Sequence, residues 1–344
     1  MEVLNFRSDT QTLPTEEMLD AIRYAQLGDD VYGEDPTVAR LEALAAEKMG
    51  MEAALLVASG TMGNLVSLMT HASGPGEALL VDPSSHIFRN EGGGLASIAG
   101  YFPIPISSRH GKLDPDEVAA SVYEPDIHYP TPHLLCLENS HNRSGGRVTP
   151  LDLHKKLCST ARQHGLAIHL DGARIFNAAV AAGVGVSEYA AEVDSIQFCL
   201  SKGLSCPVGS MIAGSAEFIE KARFHRKRIG GGMRQAGVIA AAGIVALETM
   251  IDRLRDDHAN ARLLAEGLNT IPGLNVPMDA VETNIINVDH TGTGLSTQAV
   301  ISKLNEVGVI VSPRAPTAIR MVTCRHTGEP EVTEALARIK QALQ

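Results

Sequence analysis

The chain has 344 residues, with 29 Lys and Arg against 40 Asp and Glu, so its formal charge is −11 with His neutral. Nucleic acid and anionic membranes, which are held by basic surface through counterion release, are therefore not expected partners. Hydrophobic residues make up 44% and charged residues 20%, a balance that supports a large core and lacks the signature of disorder, and the length suggests two domains or one large domain with an appendage.

The N-terminal stretch MEVLNFRSDTQT has no basic start followed by an apolar run and does not read as a secretion signal. Apolar residues at helical spacing predict a helix over Thr37 to Lys48, and AALLVASG then reads as a buried strand ending at Gly60. Further strands are expected at Ala78 to Asp82, His133 to Glu138, Leu166 to Asp171 and Ser195 to Leu200. Helices lie between them, among them Leu151 to His164, closed by Gly165 at a C-cap position. This alternation implies a mostly parallel sheet covered on both faces.

The longest apolar run, Val238 to Leu247, is too short to span a bilayer and reads as a buried helix. After it come a charged amphipathic helix over Ile251 to Leu268 and shorter mixed elements, so a boundary is expected near residue 250: a large unit over 1–250 and a small α/β unit over 251–344. Five Cys without a Cys-x-x-Cys pair argue against a disulfide framework and point to a reducing, cytoplasmic compartment.

In open α/β sheets ligands bind beyond the carboxyl ends of the strands, and three polar groups stand at such ends. Ser59 to Asn64 (SGTMGN) opens a helix and offers free N–H groups and the positive end of the helix dipole to a phosphate. Asp171 after LAIHL suits the protonated nitrogen of a pyridine ring, its bland alternative being a turn residue. Lys202, flanked by Ser201 and Gly203, suits a Schiff-base anchor, against the alternative of an exposed strand-end lysine. Together these are the parts that pyridoxal 5'-phosphate requires. No dinucleotide, P-loop or zinc-protease motif competes, and the histidines at 128, 133 and 141 are too dispersed for a metal site. The Gly92 to Gly94 and Gly230 to Gly232 runs are expected as tight loops near a ligand.

The strings RSDTQTLPT, GDDVYGEDPTV, SGTMGN, LENSHNRSGG, HLDGARIFNAA, CLSKGLSCPVGS and GGGMRQAG closely resemble the threonine aldolases. The resemblance covers most of the chain and is strongest from residue 6 to about 255. It implies the α/β fold of pyridoxal-phosphate fold type I, a mostly parallel sheet sandwiched by helices with a small C-terminal α/β domain. By resemblance Lys202 is the Schiff-base lysine, Asp171 the pyridinium partner, and Gly60 and Thr61 phosphate ligands. His86 is the histidine stacked on the ring, and Arg174 lies near its phenolic oxygen. Arg234 resembles an arginine that reaches the phosphate of a neighbouring subunit.

For the substrate, Ser8 and Arg320 resemble the pair that binds the α-carboxylate, a task suited to a guanidinium fork. Tyr32 resembles a tyrosine that approaches the pocket. The implied reaction is retro-aldol cleavage of L-threonine and L-allo-threonine to glycine and acetaldehyde, in a homotetramer built as a dimer of dimers. His86 and His128 are the candidate bases, with a water activated by either as a third option. Aldol cleavage of another β-hydroxy-α-amino acid such as phenylserine, β-elimination, or cofactor binding without activity are the alternatives. Two departures stand out: Asn90 occupies a position where the family often has an aromatic residue, and MVTCRHT carries Cys324.

Overall fold

Short runs of Leu, Ile, Val and Ala between polar turns produce strands that are buried on both faces, the pattern of a sheet covered by helices. The computed structural model describes residues 2–74, 76–124 and 126–344. Its strands in chain order are β1 (Leu4–Asn5), β2 (Ala53–Val57), β3 (Glu77–Val81), β4 (Phe102–Pro105), β5 (Thr131–Glu138), β6 (Ala167–Asp171), β7 (Ser195–Cys199), β8 (Ser210–Gly214), β9 (Ile285–Asp289), β10 (Val309–Ile310), β11 (Ser312–Ala315) and β12 (Ala318–Val322).

Seven of them form the main sheet in the order β2-β8-β7-β6-β5-β3-β4, and only β8 runs antiparallel to its neighbours. The five strands expected up to Leu200 are all present, shifted by one to three residues at their ends. The strand that opens with Ala53 stops at Val57 instead of Gly60, because Ser59 caps the next helix by accepting the Met62 N–H. The pairs Leu55–Leu56 and Leu79–Leu80 are fully buried, and each such side chain stabilises the fold by roughly 1.5–3 kcal/mol.

The helix Pro36–Met49 starts from an Asp35 cap with Pro at its first position and ends at Gly50 in the left-handed region. The Ala-rich run forms the helix Gly237–Thr249, apolar nearly all round and largely buried. The charged helix expected from Ile251 begins at Leu254. No helix among the described residues is long and apolar enough to cross a membrane.

A second, smaller core lies around the three-stranded antiparallel sheet β11-β12-β9. Leu4 and Phe6 belong to this core, and β1 pairs in parallel with β10. The N-terminal segment, expected with the large unit, is thus packed on the C-terminal one, because its two apolar side chains find their burial there. Six strands, β2 to β7, run in the same direction, so their carboxyl ends open on one edge of the main sheet.

Candidate active site

The carboxyl ends of β5 and β6 deliver Glu138 and Asp171, and the turn after β7 delivers Lys202. These three line one cavity of about 130 Å³ together with His86, Arg174 and Arg320, and Ser8 from the N-terminal segment also faces it. Residues 312 positions apart in sequence therefore meet in one pocket, which both cores must be present to build.

Asp171 is buried and accepts three hydrogen bonds: from Gln197 Nε2 at 2.6 Å, from Asn64 Nδ2 at 3.0 Å and from the Ala173 N–H at 3.1 Å. Burial alone would raise its pKa, but the neighbouring His86 and Lys202 and these hydrogen bonds outweigh it and hold the carboxyl below the usual range. An ionised carboxylate at a strand end is what a protonated ring nitrogen needs. Gly172 is required next to it, since a Cβ there would stand 2.9 Å from the Gln197 carbonyl oxygen.

Gly60 and Thr61 begin the first turn of the helix Gly60–His71, whose fifth residue, Asn64, holds Asp171. Ser59 satisfies the Met62 and Gly63 amides, and the Gly60 and Thr61 amides have no partner within the helix. A Cβ on Gly60 would meet Cys199 Sγ at 2.8 Å, so glycine keeps the helix start close to the sheet. Gly60 sits beside Gln197, but neither it nor Thr61 lines the 130 Å³ cavity. The Gly92 to Gly94 and Gly230 to Gly232 loops do not line it either.

His86 donates from Nδ1 to Glu91 Oε1 at 2.8 Å, and its backbone N–H donates to Glu138 Oε2 at 2.6 Å. The Glu91 hydrogen bond raises the His86 pKa; burial opposes this and Asp171 adds to it. With Nδ1 engaged, Nε2 is left as the acceptor. Arg174 is buried and forks onto Asp9, with Nε 2.7 Å and Nη2 2.6 Å from its two oxygens. Burial would raise the Asp9 pKa, yet Arg174 brings it down to about 2.

Arg320 donates to Asn142 Oδ1 at 3.0 Å and to the Arg7 carbonyl at 3.1 Å, while its buried Nε has no hydrogen-bond partner. Burial and the like charge of Arg174 push its pKa down to about 10. A desolvated guanidinium with a free donor is chemically suited to an anionic group such as a carboxylate. Ser8 caps the turn Asp9–Gln11 through its Oγ, which accepts from Thr10 N–H.

Besides Gly60 and Thr61, three expected site residues are not brought to this cavity by the single chain. His128 is 74% exposed and pairs with Asp126 at 2.7 Å on the loop before β5. Tyr32 is 74% exposed, and Arg234 is exposed and paired with Asp29 at 3.0 Å. Tyr32 and Arg234 share one surface region, since the Asp30 N–H donates to the Arg234 carbonyl. Conversely, sequence reasoning missed Asp9, Asn64, Glu91 and Gln197. Gln197 carried a signal, a polar residue alternating with Ile196 and Phe198 in a buried strand.

A strand-end carboxylate, a lysine one strand over and a glycine-opened helix form a set that fits pyridoxal phosphate. The beta-eliminating lyase family matches residues 5–291. Low-specificity L-threonine aldolase 1 of Arabidopsis thaliana is 43% identical, covering 100% of this chain and 97% of its own. The low specificity L-threonine aldolase of Escherichia coli is 40% identical over 97% and 98%. The crystal structure of Leishmania major threonine aldolase superposes with a TM-score of 0.85 at 18% identity, covering 99% of both chains. The chain belongs to the beta-eliminating lyase family, within its threonine aldolase branch, and has the fold type I architecture of pyridoxal-phosphate enzymes. It is thus an enzyme of the carbon-carbon lyase class, and the family implies pyridoxal phosphate as its cofactor.

Proposed function

We propose that this chain cleaves L-threonine and L-allo-threonine to glycine and acetaldehyde with pyridoxal 5'-phosphate. The observation that carries the reading is the single cavity lined by Lys202, Asp171, His86, Arg174, Ser8 and Arg320. Pyridoxal phosphate, when bound, supplies an electron sink for the pair released from the Cα–Cβ bond. In this reading Lys202 is the covalent anchor, Asp171 keeps the ring nitrogen protonated, Arg174 meets the phenolic oxygen, and the Gly60 and Thr61 amides bind the phosphate.

Arg320 and Ser8 bind the substrate α-carboxylate, and this fixes which Cα bond stands across the ring. His86, held through Nδ1 by Glu91, takes the β-hydroxyl proton at Nε2. His128 is the second candidate for that proton, from its exposed loop.

We further infer a cytoplasmic homotetramer assembled as a dimer of dimers, in which Arg234 and Tyr32 complete the site of a neighbouring subunit. Their exposure supports this, and so do five free cysteines, all buried. We also infer a large unit over 1–250 and a small unit over 251–344, with Leu4 and Phe6 packed in the core of the small one.

The test is release of acetaldehyde and glycine from both diastereomers in the presence of the cofactor. Equimolar products support the reading, and the ratio of the rates on the two diastereomers sets the stereochemical class. A yellow protein that releases nothing from either would overturn the substrate assignment, with phenylserine and β-elimination substrates assayed next.

A further inference from the structure

Behind Asp171, on the side away from the cavity, a row of polar side chains is buried between the main sheet and the helix Gly60–His71. The register of β6 and β7 sets His169 opposite Ser195 and Asp171 opposite Gln197. Both pairs are hydrogen-bonded through their side chains. Asn64 and His71 lie seven residues apart on the helix, on one face and about 10 Å apart along its axis. His169, Ser195 and Asn64 are almost wholly buried, and a buried polar group without a partner is costly, so such a row persists only when it is fully paired.

Chemistry fixes the direction of every bond in the row. Asn64 Nδ2 lies 3.0 Å from Asp171 Oδ2 and 2.8 Å from Glu91 Oε1, so its amide nitrogen must face them and donate. Its Oδ1 then faces His169 Nε2 at 3.1 Å, which must carry a hydrogen. His169 Nδ1 in turn accepts from the Ser195 hydroxyl at 2.8 Å, and that hydroxyl oxygen accepts from His71 Nε2 at 2.8 Å. Burial and neighbouring histidines keep His71 neutral, with a pKa of about 3; burial does the same for His169, at about 4.

We propose that His71, Ser195, His169 and Asn64 form a one-way hydrogen-bonded relay whose donors all point toward Asp171, making His169 and Ser195 positioning residues for the carboxylate that faces the cofactor's ring nitrogen. The relay stabilises negative charge on Asp171 and fixes its Oδ2, while Gln197 and the Ala173 N–H hold Oδ1. Its outer end, His71, borders a wide cleft of about 1040 Å³ on the far edge of the sheet. The proposal rests on the reading that Asp171 meets the ring nitrogen, and the experiment separates the two.

Full-length protein stripped of cofactor is titrated with pyridoxal phosphate and with the deaza analogue, in which a C–H group replaces the ring nitrogen. Ser195→Ala, which removes one oxygen atom, and His169→Leu are expected to weaken pyridoxal phosphate binding about three- to thirty-fold while leaving the analogue's affinity nearly unchanged. His169→Gln, which keeps an amide donor toward Asn64 Oδ1, recovers most of that loss. Asp171→Asn is the control and must itself discriminate between the two compounds. If Asp171→Asn discriminates but Ser195→Ala weakens both compounds equally, or neither, the relay is overturned and the Asp171 reading stands. If Asp171→Asn fails to discriminate, both fall.

Discussion

Asp9 and Arg174 meet in a two-pronged ion pair buried beneath the cavity floor, 165 residues apart in sequence. The pair orients Arg174 from below and ties the N-terminal turn to the end of β6. Replacing Asp9 by Ala leaves a buried guanidinium without its counter-charge, a loss of about 3–5 kcal/mol. Urea unfolding of the two proteins measures it.

The same pair predicts a pH dependence. Asp9 has a folded pKa of about 2 against an ordinary value of 3.8. A depressed carboxylate pKa contributes stability that is fully present above the unfolded value and is lost as pH falls through the folded one. Asp9→Ala should therefore show a shallower loss of stability than the parent between pH 4 and pH 2, read by acid unfolding at fixed ionic strength. Equal slopes would mean that Asp9 is not ionised against Arg174.

Glu91 raises the pKa of His86 through the Nδ1 hydrogen bond. A base works in its neutral form, so the acid limb of kcat/KM reports that pKa. Glu91→Gln should move the limb to lower pH. No movement, combined with a shift in a His128→Asn variant, would transfer the base role to His128.

Arg320→Lys keeps the charge and loses the fork. Exchange of a bidentate for a point contact should raise KM by about ten- to a hundred-fold with a smaller change in kcat. A fall confined to kcat would remove Arg320 from carboxylate binding.

Lys202→Ala should abolish the visible absorbance of the protein with added cofactor, because no other lysine lines the cavity among the described residues. Retention of the colour in that variant would assign the anchor to a different amine.

Much of this arrangement was legible in the chain. Strands β3, β5, β6 and β7 announce themselves as apolar runs, and Asp171 and Lys202 follow such runs directly. The partners of Asp171 were less visible, because Asn64 reaches it only through the pitch of a helix and Gln197 only through the β6–β7 register. Strand β8 was not foreseen: SMIAG is rich in small residues and follows a loop, and only its pairing with β2 and β7 on either side makes it a strand. The packing of Leu4 and Phe6 on a core assembled 250 residues later leaves no local trace at all.

That packing also sets an order in time. A chain emerges N-terminus first at roughly 5–20 residues per second, and β1 pairs with Val309 and Ile310, so the first strand waits tens of seconds for its partner. Gly60, Asp171 and Lys202 are all synthesised before that moment, while Arg320 follows it by only ten residues. The nascent protein thus completes the half of its pocket that would grip the cofactor well before the half that would grip an amino acid, and the pocket of the proposed reaction is whole only once Arg320 has been made.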